Sequence, residues 1–202
     1  MDTSHHRVFL AFRFPKNVRD FLRDNIRHLS KRDRKLRFVN IDQLHLTLQF
    51  LGDNVSTESL VAVSEVLKRL ASTLASPEIK ITNSSFGFPG QTVPRVVFWD
   101  VEHTKSLVDF TKTVHDSVRD LDLPDVKRQK DHSKLIHHIT IARVKNSISR
   151  GEARRLRTII GDFNQALPEP FKPKSLDIIE SSLTKKGSSY KLYESFPLNS
   201  RI

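Results

Sequence analysis

Four stretches of the chain place apolar residues at the three- and four-residue spacing of an amphipathic helix. Their apolar stripes run through residues 18–29, 60–74, 107–121 and 153–163. Asn17 is placed to cap the first helix and Ser56 to cap the second. Ser149 and Glu152 have the spacing of a capping box before the fourth. The pattern therefore predicts four helices, each with one face in the core.

Between these stretches lie seven segments with the alternation, or the β-branched and aromatic composition, of strands. They are residues 7–14, 44–51, 78–82, 94–101, 137–144, 174–183 and 189–196. Interleaved helices and strands indicate an α+β or mixed α/β fold. No breaker segment is long or polar enough to be an interdomain linker, so we expect one domain over residues 1–202.

One short motif occurs twice within the predicted strands. The sequence His-Leu-Thr-Leu at 45–48 returns 93 residues later as His-Ile-Thr-Ile at 138–141. A basic cluster precedes each copy, at 31–37 and at 127–134, and a predicted helix follows each. The repeat predicts a chain built from two similar lobes.

Strand geometry indicates where the side chains of the motif point, because alternate residues of a strand share a face. His45 and Thr47 should project from one face, with Phe50 among the apolar residues of the opposite face. His138 and Thr140 should likewise share a face. If the two strands lie side by side about a pseudo-twofold axis, both polar pairs converge on one cleft.

Two imidazoles and two hydroxyls in one cleft suit phosphoester chemistry without a metal. Histidine titrates near pH 6.5, so a neutral ring can take a proton from water while a charged ring protonates the departing oxygen. Threonine hydroxyls can donate hydrogen bonds to the non-bridging phosphate oxygens. A nearby arginine or lysine would hold the phosphate. The duplicated pattern favours acid–base catalysis over two chance His-x-Thr tripeptides.

Composition narrows the alternatives. The chain has 34 Lys and Arg against 23 Asp and Glu, a formal net charge of +11 that favours a polyanionic partner. It has no cysteine, and its histidines lack the spacing of known metal sites. No glycine-rich phosphate loop occurs either, so we expect no metal and no cofactor. No apolar run approaches the roughly 20 residues of a membrane span, and the N-terminus does not resemble a signal peptide. We therefore expect a cytoplasmic protein that does not contact membranes.

The paired motifs resemble the signature of the two-histidine phosphoesterase superfamily. Within it, the sequence is similar to the RNA 2′,3′-cyclic phosphodiesterases, also called 2′-5′ RNA ligases or LigT-like proteins. The similar blocks are RVFLAFRFP, RFVNIDQLHLTLQFLGD, FGFPGQTVPRVVFWDV and SLTKKGSSYKLYESFPL. They follow the order of the family and cover nearly the whole chain.

The resemblance implies a bilobal, pseudo-twofold α+β fold in which two antiparallel β-sheets line a central cleft and helices lie outside. It implies that His45 donates a proton to the leaving oxygen and that His138 accepts one from water, although reversed roles are chemically allowed. It also implies that Thr47 and Thr140 bind the phosphate. Arg143 matches an arginine of the second family motif and is a further substrate-binding candidate. Strict alternation puts Arg143 opposite His138, so it reaches the cleft only past a bulge or a strand end.

The reaction that the resemblance implies is hydrolysis of an RNA 2′,3′-cyclic phosphodiester end to a 2′-phosphomonoester, with 2′-5′ ligation as the reverse direction. The expected partner is an RNA end that carries the cyclic phosphate, with no obligate protein partner and a monomeric chain. Two alternatives stay open. One is a non-catalytic RNA-binding module that uses the same basic cleft, and the other is a phosphodiesterase of small cyclic nucleotides.

Overall fold

The computed structural model describes residues 4–31, 33–128, 136–145, 147–162, 167–184 and 187–199. The helices are α1 (Lys16–Ser30), α2 (Thr57–Thr73), α3 (Lys105–Arg119) and α4 (Arg150–Gly161). The strands are β1 (His5–Arg13), β2 (Leu36–Phe38), β3 (His45–Ser56), β4 (Ile81–Phe86), β5 (Val96–Val101), β6 (His138–Val144), β7 (Ser175–Thr184) and β8 (Gly187–Pro197). A short 3₁₀ turn, Ile41–Gln43, leads into β3.

These strands form two antiparallel sheets of four. The first has the order β3-β1-β7-β8 and the second the order β2-β6-β5-β4. The two motif strands, β3 and β6, belong to different sheets and contact each other where the sheets meet. The predicted α+β fold with two antiparallel sheets is confirmed, and it brings the two copies of the motif together.

The apolar faces of the helices and sheets form one large core. Leu46 of β3 and Ile139 of β6 are fully buried in it, together with Leu60 of α2 and Leu156 of α4. Burying a side chain of this size contributes roughly 1.5–3 kcal/mol. Each motif strand therefore presents its apolar residues to the core and its histidine and threonine to the other side.

Two of the three predicted helix caps are confirmed. The Ser56 hydroxyl accepts a hydrogen bond from the Ser59 amide, and Ser149 forms the full capping box with Glu152. The prediction for Asn17 is wrong, because α1 begins at Lys16, after Pro15, and Asn17 is already its second residue. Proline fixes a φ that suits a helix start and has no amide to satisfy.

Two short elements differ from the sequence predictions. Strand β2 overlaps the end of the basic cluster 31–37, and its three residues give too little alternation to reveal a strand. Strand β4 lies later than the predicted 78–82, because its centre is the polar run 83–85. Residues 129–135 of the second basic cluster and residue 163 of the fourth stripe lie outside the described residues.

No helix in the described ranges combines the length and the apolar composition that crossing a membrane requires.

Candidate active site

A cleft of about 200 Å³ lies where the two sheets meet. All five residues that the sequence singled out line it: His45, Thr47, His138, Thr140 and Arg143. The other lining residues are Arg7, Phe9, Val39, Gln43, Phe50, Ser181, Ser188 and Tyr190. The structure therefore joins residues 93 positions apart into one site.

The two histidine rings are held in the same way. Nδ1 of His45 donates a hydrogen bond to the Gln43 carbonyl at 2.7 Å, and Nδ1 of His138 donates one to the Ile136 carbonyl at 2.9 Å. A carbonyl only accepts, so the proton of each neutral ring lies on Nδ1. Nε2 is then left as the ring nitrogen that can accept a proton in the cleft and, once charged, donate it.

Two aromatic rings pack against His45. Its ring centroid lies 4.8 Å from that of Phe9 and 4.8 Å from that of Tyr190. Burial disfavours the charged form and, with repulsion from His138 when that ring is protonated and from Arg143, lowers the pKa of His45 to about 4. His45 is therefore neutral at pH 7 while no anion occupies the cleft.

His138 has different aromatic neighbours. The rings of Phe88 and Phe98 stack on each other, with centroids 4.8 Å apart, and both make T-shaped contacts with the His138 ring, at centroid distances of 5.0 and 5.3 Å. The strand partner of His138 is Asp100, whose carboxylate accepts a hydrogen bond from the Ser85 hydroxyl. His138 thus lies at the margin of the cleft, beside β5.

A β-bulge follows the threonine in both motif strands. Leu48 in β3 and Ile141 in β6 are each an extra residue that the neighbouring strand does not match. A one-residue bulge reverses the alternation beyond it, so later side chains change face. Arg143 consequently returns to the face of His138 and lines the cleft. The bulge that Arg143 requires is present.

The bulge in β3 overturns one prediction. Phe50 was expected on the apolar face opposite His45, but it lines the cleft because Leu48 shifts the alternation. Phe50 follows His45 by five residues, as Arg143 follows His138. Carrying the internal repeat two residues further would therefore have identified this position.

Other lining residues left no signal in the sequence. Tyr190 comes from β8 and contacts His45 across the first sheet, and Gln43 acts through its backbone carbonyl. The Arg7 guanidinium lies over the Phe50 ring, 4.7 Å from its centroid, and is ion-paired with Asp53. These residues reach the motif through pairing between distant strands, and a local sequence pattern does not encode that pairing.

The charge of the cleft suits an anion. Two of its described lining residues are arginines, two are histidines and none is acidic. Hydrogen-bond donors of this kind stabilise the negative charge on phosphate oxygens. Within the described ranges, no three histidine or acidic side chains come together as a metal-binding group.

No family model matches the chain. Comparison with individual proteins does find relatives, and their names state a function. The chain is 28% identical over 193 residues to the RNA 2′,3′-cyclic phosphodiesterase of Methanothermobacter thermautotrophicus, covering 95% of this chain and 98% of the relative. It is also 28% identical over 196 residues to the protein of the same name from Thermotoga maritima, covering 93% and 94%.

Solved structures match the fold. TT0787 of Thermus thermophilus superposes with a TM-score of 0.73 at 25% identity, covering 95% of this chain and 97% of that protein. E. coli LigT, crystallised with NADP+, superposes with a TM-score of 0.66 at 17% identity, covering 98% and 100%.

The two sheets, the duplicated motif and these comparisons support the resemblance of this chain to the two-histidine phosphoesterases. The named relatives are RNA 2′,3′-cyclic phosphodiesterases, and the fold matches that of LigT.

Proposed function

We propose that this protein hydrolyses the 2′,3′-cyclic phosphodiester at the end of an RNA to a 2′-phosphomonoester. The observation that carries the proposal is the pair of equally held histidines that line one cleft with two threonines and an arginine. The names of the two curated relatives support the substrate class.

The reaction is a single displacement at phosphorus. The oxygen of a water molecule forms a bond to phosphorus, the P–O3′ bond breaks, and the P–O2′ bond stays. Nε2 of His138 takes the proton of the water, and Nε2 of His45 gives a proton to O3′. The net result is one water consumed, a 3′-hydroxyl formed and a proton moved between the rings, which solvent then returns.

The threonines and Arg143 bind the phosphate in this proposal. The hydroxyls of Thr47 and Thr140 donate to the non-bridging oxygens, where negative charge is concentrated in the transition state. The guanidinium of Arg143 supplies the compensating positive charge. No proton transfer is assigned to these three residues.

The substrate itself prepares His45 as the acid. In the empty cleft the pKa of His45 is lowered to about 4, so the ring is neutral. A bound phosphate anion brings a negative charge next to the ring, which favours the charged form and raises the pKa. His45 then carries a proton when a leaving oxygen is present to receive it.

The same displacement supports ligation. When the 5′-hydroxyl of a second RNA takes the place of water, cleavage of P–O3′ leaves a 2′-5′ linkage. The roles of both histidines are unchanged, and hydrolysis dominates where water is the more abundant nucleophile.

Small cyclic nucleotides are the second candidate substrates. E. coli LigT has been crystallised with 3′-AMP, a mononucleotide. The cleft of this chain serves either substrate, because both carry the cyclic phosphate on which His45 and His138 would act. The experiment therefore compares the two substrates directly.

The test is incubation of the protein with an RNA that ends in a 2′,3′-cyclic phosphate and, separately, with a 2′,3′-cyclic mononucleotide. Phosphorus NMR identifies which hydroxyl keeps the phosphoryl group. We expect the 2′-phosphomonoester alone, at a rate that EDTA leaves unchanged. A 3′-phosphomonoester, or no turnover of either substrate, contradicts the proposal, and turnover of the mononucleotide alone selects the second candidate.

A further inference from the structure

Two arginines lie side by side on neighbouring strands of the second sheet. Arg37 of β2 is the direct antiparallel partner of Arg143 of β6. Direct partners share a face, and their Cα atoms lie about 5 Å apart. The pairing therefore places two positively charged side chains next to each other on one face of β2 and β6.

Both side chains open onto one recess of about 200 Å³, which continues from the catalytic cleft. The arginine recess, as we call it, shares five residues with the cleft, Arg143 and Tyr190 among them, and adds Arg37, Phe38 and Asn40. Arg143 therefore borders both spaces. No acidic side chain is among the described residues that line the recess.

We propose that the arginine recess binds the phosphodiester that precedes the cyclic phosphate in an RNA chain. This inference rests on the proposed function and narrows its substrate to a polynucleotide end. In such an end, O5′ of the last nucleotide carries the next phosphate, one nucleotide from the phosphorus between His45 and His138. A cyclic mononucleotide lacks that phosphate.

The chemistry of the recess matches this ligand. Two guanidinium groups offer several N–H donors to a phosphodiester and neutralise its charge. The rings of Phe38 and Tyr190, which also line the recess, offer apolar surface to the ribose and base that connect the two phosphates. Filling the recess therefore places the terminal nucleotide with its cyclic phosphate in the cleft.

The experiment compares three substrates in steady-state kinetics. They are a 2′,3′-cyclic mononucleotide, the dinucleotide with the same cyclic end, and that dinucleotide with an uncharged methylphosphonate linkage. We expect kcat/KM for the charged dinucleotide to exceed the other two by roughly tenfold to a hundredfold, as for the loss of a charge-assisted contact. Equal values for the charged and uncharged dinucleotides overturn the inference.

The Arg37→Gln variant assigns the effect to the recess. It should remove most of the preference for the charged linkage, lowering kcat/KM for the charged dinucleotide far more than for the uncharged one. The matched control is Arg95→Gln, which removes the same charge from an exposed residue just before β5 that lines neither space. This control should keep the full preference. A preference that persists in Arg37→Gln, or disappears equally in Arg95→Gln, overturns the inference.

Two further measurements distinguish a failure of this inference from a failure of the proposed function. Thermal unfolding should show Arg37→Gln no less stable than Arg95→Gln, since a purely structural role for Arg37 would lower its unfolding temperature. Calorimetric affinity for the 2′-phosphorylated dinucleotide and mononucleotide tests the recess without turnover. The protein could turn over no cyclic substrate and still bind the dinucleotide product more tightly than the mononucleotide product, with Arg37 needed for the difference. That result would support the recess and contradict the proposed function. Equal affinities overturn the recess itself.

Discussion

The two motif strands share a backbone but differ in their surroundings. In each, Nδ1 of the histidine is bonded to the carbonyl two residues earlier, and a bulge follows the threonine. Around this common backbone, His45 packs against Phe9 and Tyr190, whereas His138 makes T-shaped contacts with the stacked rings of Phe88 and Phe98. The repeat thus sets the position of each imidazole, and burial lowers the pKa of His45.

The position after each bulge shows the same division. Five residues beyond the histidine, the first lobe has Phe50 and the second has Arg143. Both line the cleft because the bulges turn them there. At this position the cleft is therefore lined by an aromatic ring in one lobe and by a guanidinium in the other.

The largest expected effect comes from removing either imidazole. His45→Ala and His138→Ala should each lower kcat for a cyclic phosphate by about 10²–10⁴, because each ring transfers a proton in the transition state. The matched control is His28→Ala, an exposed histidine of α1, which should keep the wild-type rate. Circular dichroism checks the fold, and a folded variant with full activity at either position would show that the lobes do not act as a pair.

The roles of the two rings can be told apart by the leaving group. A p-nitrophenyl phosphodiester releases an anion that needs no proton. The residue that acts as the general acid is then dispensable, whereas the residue that acts as the general base is still required. His45→Ala should then lose much less activity on this ester than on a cyclic phosphate, and His138→Ala should lose as much on both. The opposite pattern would mean that the donor and the acceptor are exchanged between the lobes.

Removing one threonine hydroxyl should have a smaller effect. Thr47→Val and Thr140→Val keep the shape of the side chain and delete one donor to the phosphate, which should lower kcat/KM by about tenfold to a hundredfold each. Steady-state kinetics on the same cyclic substrate measures the loss. A loss from one variant only would show that the phosphate binds to one lobe.

Stability should depend on pH between about 4 and 6.5. Burial lowers the pKa of His45 to about 4, and burial with the charges of His103, His115 and His138 lowers that of His137 to about 4. The unfolded chain binds these protons near pH 6.5 and the folded chain does not, so stability is full above pH 6.5 and falls as the pH drops toward 4.

Urea unfolding at a series of pH values measures this dependence. The loss due to His137, which is 1% exposed, amounts to at most about 3 kcal/mol. The His45→Ala variant should show a shallower dependence, because one of the two groups is gone. An unchanged slope in that variant would mean that His45 is not held neutral in the folded protein.

The smallest effect is expected at the helix starts that follow the two motifs. Ser56→Ala and Ser149→Ala each remove a cap that accepts an amide hydrogen bond, at a cost of about 1 kcal/mol in the free energy of unfolding. Neither serine lines the cleft, so activity below the unfolding temperature should not change. A loss of activity at room temperature would show that α2 or α4 controls the position of its motif strand.

The sequence predicted those features that local periodicity encodes. Apolar stripes identified all four helices, and the repeat of His-x-Thr identified the strands and residues that meet in the cleft. Strict alternation failed beyond Thr47 and Thr140, because neither bulge has a local signature. Tyr190 and Arg37 could not be assigned to the site, since pairing between distant strands brings them there.

The most direct test of the paired histidines is a structure of the protein with a uridine 2′,3′-cyclic vanadate, which mimics the five-coordinate transition state. We predict one vanadium centre in the cleft with Nε2 of His45 and Nε2 of His138 both within hydrogen-bonding distance of its oxygens, on opposite sides. A vanadate that contacts only one of the two rings, or that binds outside the cleft, would contradict the account.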